Sequence, residues 1–339
     1  MAEGVFSKLD ESLQKALDER EWTPTPVQQV TQDDIAAGKD RLVVAPTGSG
    51  KTMAAILPLL DRCLREEWTG MSILYITPLR ALNRDVDRRL EEITSAVGLT
   101  LGLRHGDTPQ SERNKHVRKP PNVMITTPET FQLMFTGSRL RELLRTVKAV
   151  VIDEIHEIAD GERGWQLSVG LSRLESFKGS PVQKVGLSAT IGNPEQVAKW
   201  LSNDTQPIVA IAPRYTELSV DAIIQTPEDE IGSLELAISP RAHATLRGLA
   251  DIISKRHPCL IFVNSRNSAE TVSQRLQAIG PDLAIGVHHG SLAKETRAQM
   301  EDDLREGKLQ GLVCTSSLEL GIDVGSVNHI VQIRSPRSV

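Results

Sequence analysis

Apolar and amphipathic segments alternate over the first two-thirds of the chain. Between residues 42 and 211, short aliphatic runs with the character of buried strands are separated by longer segments whose apolar residues recur at helical spacing. This alternation predicts a parallel sheet with helices on both faces. The predicted strands are 42–44, 73–76, 99–103, 123–125, 147–152 and 182–187, and the predicted helices are 53–66, 79–97, 128–144, 164–178 and 193–201.

A second alternating series follows residue 240, and the first sheet cannot absorb it without reversing its crossovers. We therefore predict an α/β protein with two tandem parallel-sheet domains, residues 1–211 and 212–339, with a hinge near 207–217. Residues 1–22 are predicted to be helical, and the alternating run Leu218–Ile224 is a candidate edge strand of the second domain. The remaining predicted elements are helices 241–256, 266–278 and 293–306 and strands 259–263, 284–287, 311–314 and 327–333.

Composition fits two domains of ordinary size. The 339 residues are 39% hydrophobic and 24% charged, as in globular proteins, and no apolar run reaches 18 residues. The N-terminus lacks a secretory signal, so we expect a cytoplasmic monomer that does not enter a membrane. The net charge of −5 argues against a uniformly basic coat but leaves room for a groove that binds phosphates. Three cysteines in apolar surroundings are interpreted as buried thiols: Cys63, Cys259 and Cys314.

The strongest chemical motif follows the first predicted strand. Its sequence, APTGSGKT, lies between the apolar run 42–44 and a predicted helix. Glycines let successive backbone N–H groups point into one hollow at a helix N-terminus, where an anion is stabilised. In this pattern the lysine reaches the terminal phosphates and the threonine hydroxyl binds Mg²⁺. The sequence therefore predicts a site for ATP and Mg²⁺, formed by Pro46, Thr47, Gly48, Ser49, Gly50, Lys51 and Thr52.

Two adjacent carboxylates end the predicted strand 147–152. Asp153 can hold the Mg²⁺ that binds Thr52, and Glu154 can orient and deprotonate the attacking water. A helix cap explains the same pair when the motif stands alone. Because a phosphate loop precedes it, we favour catalysis by Lys51, Asp153 and Glu154.

Two other positions are candidates for the same site. Gln28 follows two prolines, and its amide can present a donor and an acceptor to an adenine edge. His156 is either a core histidine or a link between the γ-phosphate and the end of strand 182–187. The residues that this link would reach are Ser188, Ala189 and Thr190.

Three further loops at predicted strand ends offer hydroxyls, helix N-termini or a positive charge. Ordinary helix capping explains any one of them, but three on one sheet edge beside an ATP site favour a groove for a polynucleotide. The predicted contacts are Thr77, Pro78, Arg80, Gly106, Asp107, Thr126 and Thr127.

Taken in order, these motifs resemble those of the superfamily 2 helicases. The set is a proline–glutamine segment, APTGSGKT, TPLRAL, TTPE, DEIH and SAT. Downstream, HHGSL and TSSLELGID look like the Lhr (large helicase-related) family rather than the DEAD-box RNA helicases. The resemblance, which runs from about Trp22 to the C-terminus, implies two RecA-like domains with ATP in the cleft and a nucleic-acid strand across both. It also implies a nucleic-acid-stimulated ATPase that moves 3′ to 5′ on single strands, with DNA and RNA both open as substrates.

The same resemblance assigns roles in the second domain. Gly321 and Asp323 would face the nucleotide, and residues at two strand ends would hold the nucleic-acid backbone; a helix cap with one surface Arg is the plainer alternative. His288 and His289 have no cysteine or carboxylate at ligand spacing in the sequence, so we do not expect them to bind a metal. The nucleic-acid candidates are Asn264, Ser265, Arg266, Thr315 and Ser316.

The family pattern continues into an arginine-bearing QRxGRxxH motif, which this chain does not reach. We therefore expect a truncated product that binds ATP–Mg²⁺ and nucleic acid but hydrolyses ATP slowly, unless Arg334 or Arg337 substitutes. An ATP-switched binding or strand-annealing module is the alternative from another class. A P-loop transporter ATPase would explain the ATP site but not the phosphate-facing loops.

Overall fold

The computed structural model describes residues 4–78, 84–106, 108–159, 161–189, 191–210, 217–220, 223–315, 327 and 329–333. The chain divides into two compact units, residues 1–214 and 215–339. The predicted boundary between 211 and 212 lies among residues outside the described ranges and stays a prediction. In the described part of the chain, no helix combines the length and apolar character needed to cross a bilayer.

Within its described residues, the first unit contains a seven-stranded parallel sheet in the order β3-β4-β2-β5-β6-β1-β7. The strands are β1 (Arg41–Val44), β2 (Ile73–Ile76), β3 (Leu101–Arg104), β4 (Val123–Thr126), β5 (Ala149–Ile152), β6 (Gln183–Ser188) and β7 (Gln206–Val209). The helices are α1 (Glu11–Asp18), α2 (Pro26–Ala36), α3 (Lys51–Arg65), α4 (Arg84–Ala96), α5 (Gln110–Arg118), α6 (Pro128–Met134), α7 (Ser138–Leu143), α8 (Glu162–Lys178) and α9 (Pro194–Leu201).

Helices cover both faces of this sheet, as the buried aliphatic runs predict. Successive residues of β5 point to opposite faces: Ala149 and Val151 pack with the side that contains α2 and α3, and Val150 and Ile152 pack with the side that contains α8. Each fully buried aliphatic side chain contributes about 1.5–3 kcal/mol. A strand buried on both faces has no polar alternation, which is why these runs are continuously apolar.

The second unit has a four-stranded parallel sheet in the order β11-β8-β10-β9, counted over its described residues. Two parallel α/β sheets confirm the predicted fold class. The strands are β8 (Cys259–Phe262), β9 (Ile285–His288), β10 (Gly311–Cys314) and β11 (His329–Gln332). The helices are α10 (Pro227–Glu235), α11 (Pro240–Lys255), α12 (Arg266–Ile279) and α13 (Lys294–Arg305). The three cysteines are buried and carry free thiols.

Two predicted helices are divided in the structure. A 3₁₀ turn (Val5–Lys8) precedes α1, which begins after Asp10 because the Asp10 carboxylate accepts the Ser12 N–H at 2.9 Å. The helix predicted over 128–144 breaks at Gly137, whose backbone is extended. Glycine is the residue that loses most conformational freedom in a helix, so the break falls there.

The predictions between the two sheets were partly wrong. Residues 207–209, placed at the hinge, belong to β7 and pair with β1. The described parts of Leu218–Ile224 form no strand, and Leu218 and Val220 are exposed. The acidic run after it begins α10, where Asp229 accepts the Thr226 N–H at 2.8 Å in a capping box.

Candidate nucleotide and polynucleotide site

The turn between β1 and α3 has the backbone of an anion cradle. Gly48 and Gly50 adopt left-handed conformations, with φ of 77° and 90°, which side chains with a Cβ rarely adopt. A Cβ on Gly50 would also lie 2.8 Å from the Gln28 Nε2 atom. Helix α3 begins at Lys51, so its free N–H groups and positive dipole end face this turn.

Lys51 is buried beneath the turn. Its Nζ donates to the carbonyl oxygens of Ala45, at 2.8 Å, and Pro46, at 3.0 Å. Burial lowers the pKa of the Lys51 ammonium, and the nearby carboxylates of Glu154 and Asp153 oppose that shift. The two acids that follow β5 therefore act electrostatically on the lysine that begins α3.

Tyr75, which sequence reasoning missed, organises the metal candidates. Its hydroxyl donates to Asp153 Oδ2 at 2.5 Å, while Asp153 Oδ1 accepts the Glu154 N–H at 2.9 Å. The pKa of the Tyr75 phenol lies well above its usual value chiefly because the ring is buried, while the neighbouring Thr52 hydroxyl acts to lower it. Asp153 thus accepts the Tyr75 hydroxyl, and Thr52 acts on the same phenol. A hydroxyl inside an otherwise aliphatic strand was the available signal, since buried tyrosines usually hydrogen-bond a partner.

The pKa of Glu154 is suited to proton transfer. Its backbone is left-handed, with φ of 43°, and its side chain is 17% exposed. Burial and the adjacent Asp153 raise the pKa of Glu154 to about 7, although Lys51 opposes the shift. A carboxyl group with this pKa exchanges a proton near neutral pH, as a general base must.

His156 lies between Glu154 and the end of β6. Its Nδ1 is 3.2 Å from the Ser188 hydroxyl and 3.6 Å from Glu154 Oε2. Burial lowers the pKa of this imidazole, which favours the neutral ring at pH 7. The Ser188 carbonyl in turn accepts the Ala45 N–H at 3.1 Å, at the start of the glycine turn. His156 and Ser188, which the sequence analysis proposed to be linked, are therefore in contact. Ala189 follows Ser188 in the chain, and Thr190 lies outside the described residues.

The residues present fit a nucleoside triphosphate with Mg²⁺. The Ser49 hydroxyl oxygen is shielded from solvent and has no hydrogen-bond partner among the described residues, and it belongs to the turn whose N–H groups suit phosphate. The hydroxyl and carboxylate at Thr52 and Asp153 are the hard oxygen ligands that Mg²⁺ prefers. The Gln28 amide accepts the Thr25 N–H at 3.0 Å and donates to the Gly50 carbonyl at 3.3 Å. Gln28 is thus joined to the phosphate turn, and its adenine role stays a prediction.

Two of the predicted polynucleotide loops are neighbours. They follow β2 and β4, which pair, and the Thr77 N–H donates to the Thr126 carbonyl at 3.0 Å. Pro78 follows Thr77, and the Thr127 hydroxyl accepts the Thr130 N–H at the start of α6. The third loop, at Gly106, follows β3, the next strand beside β4.

Arg113 and Arg163, also missed from the sequence, fix these loops from neighbouring helices. Arg113 on α5 donates to the Gly106 carbonyl at 2.6 Å and to the Thr108 carbonyl at 2.8 Å. Arg163 on α8 donates to the Pro78 carbonyl at 3.0 Å. Helix α5, which carries Arg113, was not predicted, and Arg163 lies just before the helix predicted over 164–178. Each arginine resembles any solvated surface charge, so spacing alone offered no signal. Six predicted site residues lie outside the described ranges: Arg80, Asp107, Thr190, Ser316, Gly321 and Asp323.

In the second unit the predicted contacts lie at the carboxyl ends of β8 and β10, which pair. Asn264 follows β8, the Ser265 hydroxyl accepts the Ser268 N–H at 3.1 Å as the cap of α12, and Arg266 is exposed in its first turn. Thr315 follows β10, and its N–H donates to the His288 carbonyl at 3.2 Å.

His288, the last residue of β9, and His289, which follows it, each have a carboxylate partner. His288 Nε2 lies 3.0 Å from Glu301 on α13, and His289 Nε2 lies 2.8 Å from Glu270 on α12. The partners are on different helices, which local spacing cannot reveal. Among the described residues, no three such side chains form a cluster that could hold a metal ion.

Comparison with known proteins identifies the family of this chain. The family described as DEAD/DEAH box helicase matches residues 25–197, and the helicase conserved C-terminal domain matches residues 244–339. The chain is 36% identical to the Lhr helicase/probable uracil glycosylase of Mycolicibacterium smegmatis over 94% of its own length and 24% of that protein's. It is 36% identical to the ATP-dependent helicase Lhr-Core of Methanothermobacter thermautotrophicus over 93% of this chain and 39% of that protein.

A solved structure of Mycobacterium smegmatis helicase Lhr, bound to single-stranded DNA and AMP-PNP, superposes with a TM-score of 0.79 at 35% identity. The match covers 98% of this chain and 45% of that one. The chain thus spans between about a quarter and two-fifths of the curated relatives named above. It belongs to the DEAD/DEAH box helicase family, and within that family it is similar to the Lhr helicases.

Proposed function

We propose that this chain is the ATP-dependent part of a nucleic-acid helicase or translocase that moves 3′ to 5′ on single-stranded DNA. The observation that carries the proposal is the proximity of Lys51, Asp153 and Glu154 at the carboxyl edge of the first sheet, where Asp153 accepts the Tyr75 hydroxyl. Ligands of open parallel sheets bind at that edge. A P-loop lysine and a base of raised pKa beside it are the groups that phosphoryl transfer to water requires.

Each residue has a distinct task in this proposal. Bound ATP–Mg²⁺ supplies the γ-phosphoryl group and offsets its charge. The backbone N–H groups of the glycine turn bind phosphate oxygens, and Lys51 exchanges its carbonyl partners for them. Thr52 and Asp153 would hold the metal, with Tyr75 fixing the Asp153 carboxylate. Glu154 takes the proton of the attacking water, and His156 connects Glu154 to Ser188.

The polynucleotide partner is supported by the loops after β2, β3 and β4 in the first unit and after β8 and β10 in the second. They present backbone N–H groups, hydroxyls and helix N-termini, which contact phosphates without reading bases. The similar helicase Lhr was solved with single-stranded DNA, and the resemblance to that family supports 3′ to 5′ movement. RNA or a DNA:RNA hybrid is the second substrate to test, and we propose a monomer.

Strand displacement on tailed duplexes tests the proposal. The duplexes carry a single-stranded tail at the 3′ or the 5′ end and are prepared as DNA, RNA and hybrid. We expect ATP-dependent displacement with a 3′ DNA tail and ATP hydrolysis that is slow but stimulated by single strands. Equal displacement from both tails would contradict the direction, and hydrolysis that nucleic acid does not stimulate would contradict the motor.

The same assay separates a motor from an ATP-switched binding or annealing module. Glu154→Gln removes the base but keeps the size of the side chain. A motor loses displacement in this variant. A module that only binds or anneals shows no displacement in the wild type and keeps its ATP-dependent binding in the variant.

A further inference from the structure

The first turn of α8 packs against the segment that follows the catalytic carboxylates. Gly164 lies so close to the backbone that a Cβ there would collide with the Ile158 carbonyl oxygen and lie 2.8 Å from that of Ala159. Ile158 is four residues beyond Glu154 and directly follows the 3₁₀ turn Ile155–Glu157. The backbone after Glu154 and the backbone of α8 are therefore in close contact at Gly164, with no side chain between them.

The same turn holds both neighbouring polynucleotide loops. Arg163 Nε donates to Glu129 Oε1 at 2.8 Å, and Arg163 Nη2 donates to the Pro78 carbonyl at 3.0 Å. Pro78 lies in the loop after β2, and Glu129 lies in the first turn of α6, directly after the loop that follows β4. One planar guanidinium thus fixes the two loops relative to each other.

Stability gives a poor account of this arrangement. The Arg163 and Glu129 side chains are 44% and 52% exposed, and exposed ion pairs contribute little to folding. The position of Arg163 indicates a different role. Arg163 is next to Gly164 in the chain, and its guanidinium contacts the loop after β2 and the first turn of α6.

We propose that the first turn of α8 couples the nucleotide site to the polynucleotide loops, with Arg163 as a positioning residue. The inference rests on the proposed function. When the Glu154 segment moves on binding nucleotide, the contact at Gly164 moves Arg163, and Arg163 moves the Pro78 loop and the start of α6 together. Nucleotide and strand binding then favour each other, and by linkage the effect is the same in both directions.

The test measures this coupling directly and does not depend on turnover. The dissociation constant of a fluorescein-labelled oligodeoxythymidylate is measured by anisotropy, with Mg²⁺ alone and with Mg²⁺ and saturating AMP-PNP. The ratio of the two constants is the coupling factor, which for linked sites is typically about 5 to 150. We expect Arg163→Ala to bring this factor close to 1. Arg163→Lys keeps the charge but cannot hold both partners in one rigid fork, so an intermediate factor is expected.

Arg173→Ala is the matched control. Arg173 lies on the same helix and its guanidinium stacks over the Phe135 ring at 4.5 Å, away from both loops. This variant should keep the wild-type factor. An unchanged factor in Arg163→Ala, or an equal loss in Arg173→Ala, would overturn the inference.

Glu129→Gln provides an independent arm if Arg163→Ala does not fold. It removes one anchor of the guanidinium and should lower the factor; a wild-type factor in Glu129→Gln would also overturn the proposal. Failure of the proposed function is distinguishable, because the wild-type chain would then bind no oligonucleotide or show a factor of 1 before any substitution.

Discussion

At the carboxyl edge of the first sheet, charged side chains are buried together, whereas the residues that follow β8 in the second sheet present hydroxyls and a capped helix. Burial lowers the pKa of Lys51 and raises that of Glu154, and each group's charge opposes the shift of the other. Ser265 and Arg266 are exposed at the start of α12, where the serine hydroxyl caps the helix. Both edges arise from the same parallel α/β architecture, so fold alone does not set their chemistry.

The two edges differ in the free-energy cost of the groups that they hold. Burying a carboxylate and an ammonium is costly, and such groups persist where they perform chemistry. Exposed hydroxyls and helix N-termini cost little and suit the binding of a phosphate backbone. We therefore infer that the first edge carries the reaction and the second contributes binding, a division that substitutions can test.

The largest effect is expected from Glu154→Gln. Removing the base should lower nucleic-acid-stimulated ATP turnover by about 10²- to 10⁴-fold, the usual contribution of a positioned general base. Steady-state phosphate release, together with AMP-PNP affinity, measures it. Nucleotide affinity should stay within a few-fold of the wild type; equal losses in affinity and turnover would show that Glu154 acts in binding instead.

Lys51→Ala should lower the affinity for Mg²⁺–AMP-PNP by about 100-fold, because a charge-assisted contact to phosphate is lost in a buried site. Titration calorimetry gives the dissociation constant. Arg62→Ala, a substitution further along α3, is a suitable control because the Arg62 guanidinium bonds Glu66 and Gln183 instead of the glycine turn. A comparable loss in that control would mean that the helix, rather than the Lys51 ammonium, determines affinity.

The pH dependence of turnover should report the ionisation of Glu154. The base must be deprotonated, and its pKa is about 7, so the rate at saturating ATP should rise about tenfold between pH 6 and pH 8 and then level off. The affinity for AMP-PNP, measured over the same pH range, separates an effect on nucleotide binding from an effect on the chemical step. A flat profile from pH 5 upward would mean that Glu154 retains the ordinary pKa of an exposed carboxyl group.

The smallest effect is expected in the second unit, from Ser265→Ala. Loss of the α12 cap should lower the free energy of unfolding by about 1 kcal/mol and weaken oligonucleotide binding only a few-fold, with no change in nucleotide affinity. Urea unfolding and anisotropy measure the two effects. A turnover loss as large as that of Glu154→Gln would remove the distinction between the two edges.

Much of this arrangement is encoded locally in the sequence. Buried parallel strands are continuously apolar and are followed by amphipathic helices, so both sheets were predicted from periodicity. The glycine turn was equally readable, because the positive φ values of Gly48 and Gly50 belong to residues that favour them. Since ligands bind at the carboxyl ends of such strands, Lys51, Asp153 and Glu154 could be assigned to one edge before any coordinates.

Contacts between distant segments were decided only by the tertiary structure. The Tyr75–Asp153 hydrogen bond joins positions 78 residues apart, and the Arg163–Pro78 bond joins positions 85 apart. The Tyr75 hydroxyl indicates that a partner exists but not which residue it is, and Arg163 has the local pattern of any solvated surface arginine. Hydrophobic periodicity records which face of an element is buried, whereas a side chain's partner depends on which strands become neighbours in the sheet. That ordering, β4-β2-β5, is set by packing of the whole domain, and for this reason the residues that position the site emerged only once the chain was folded.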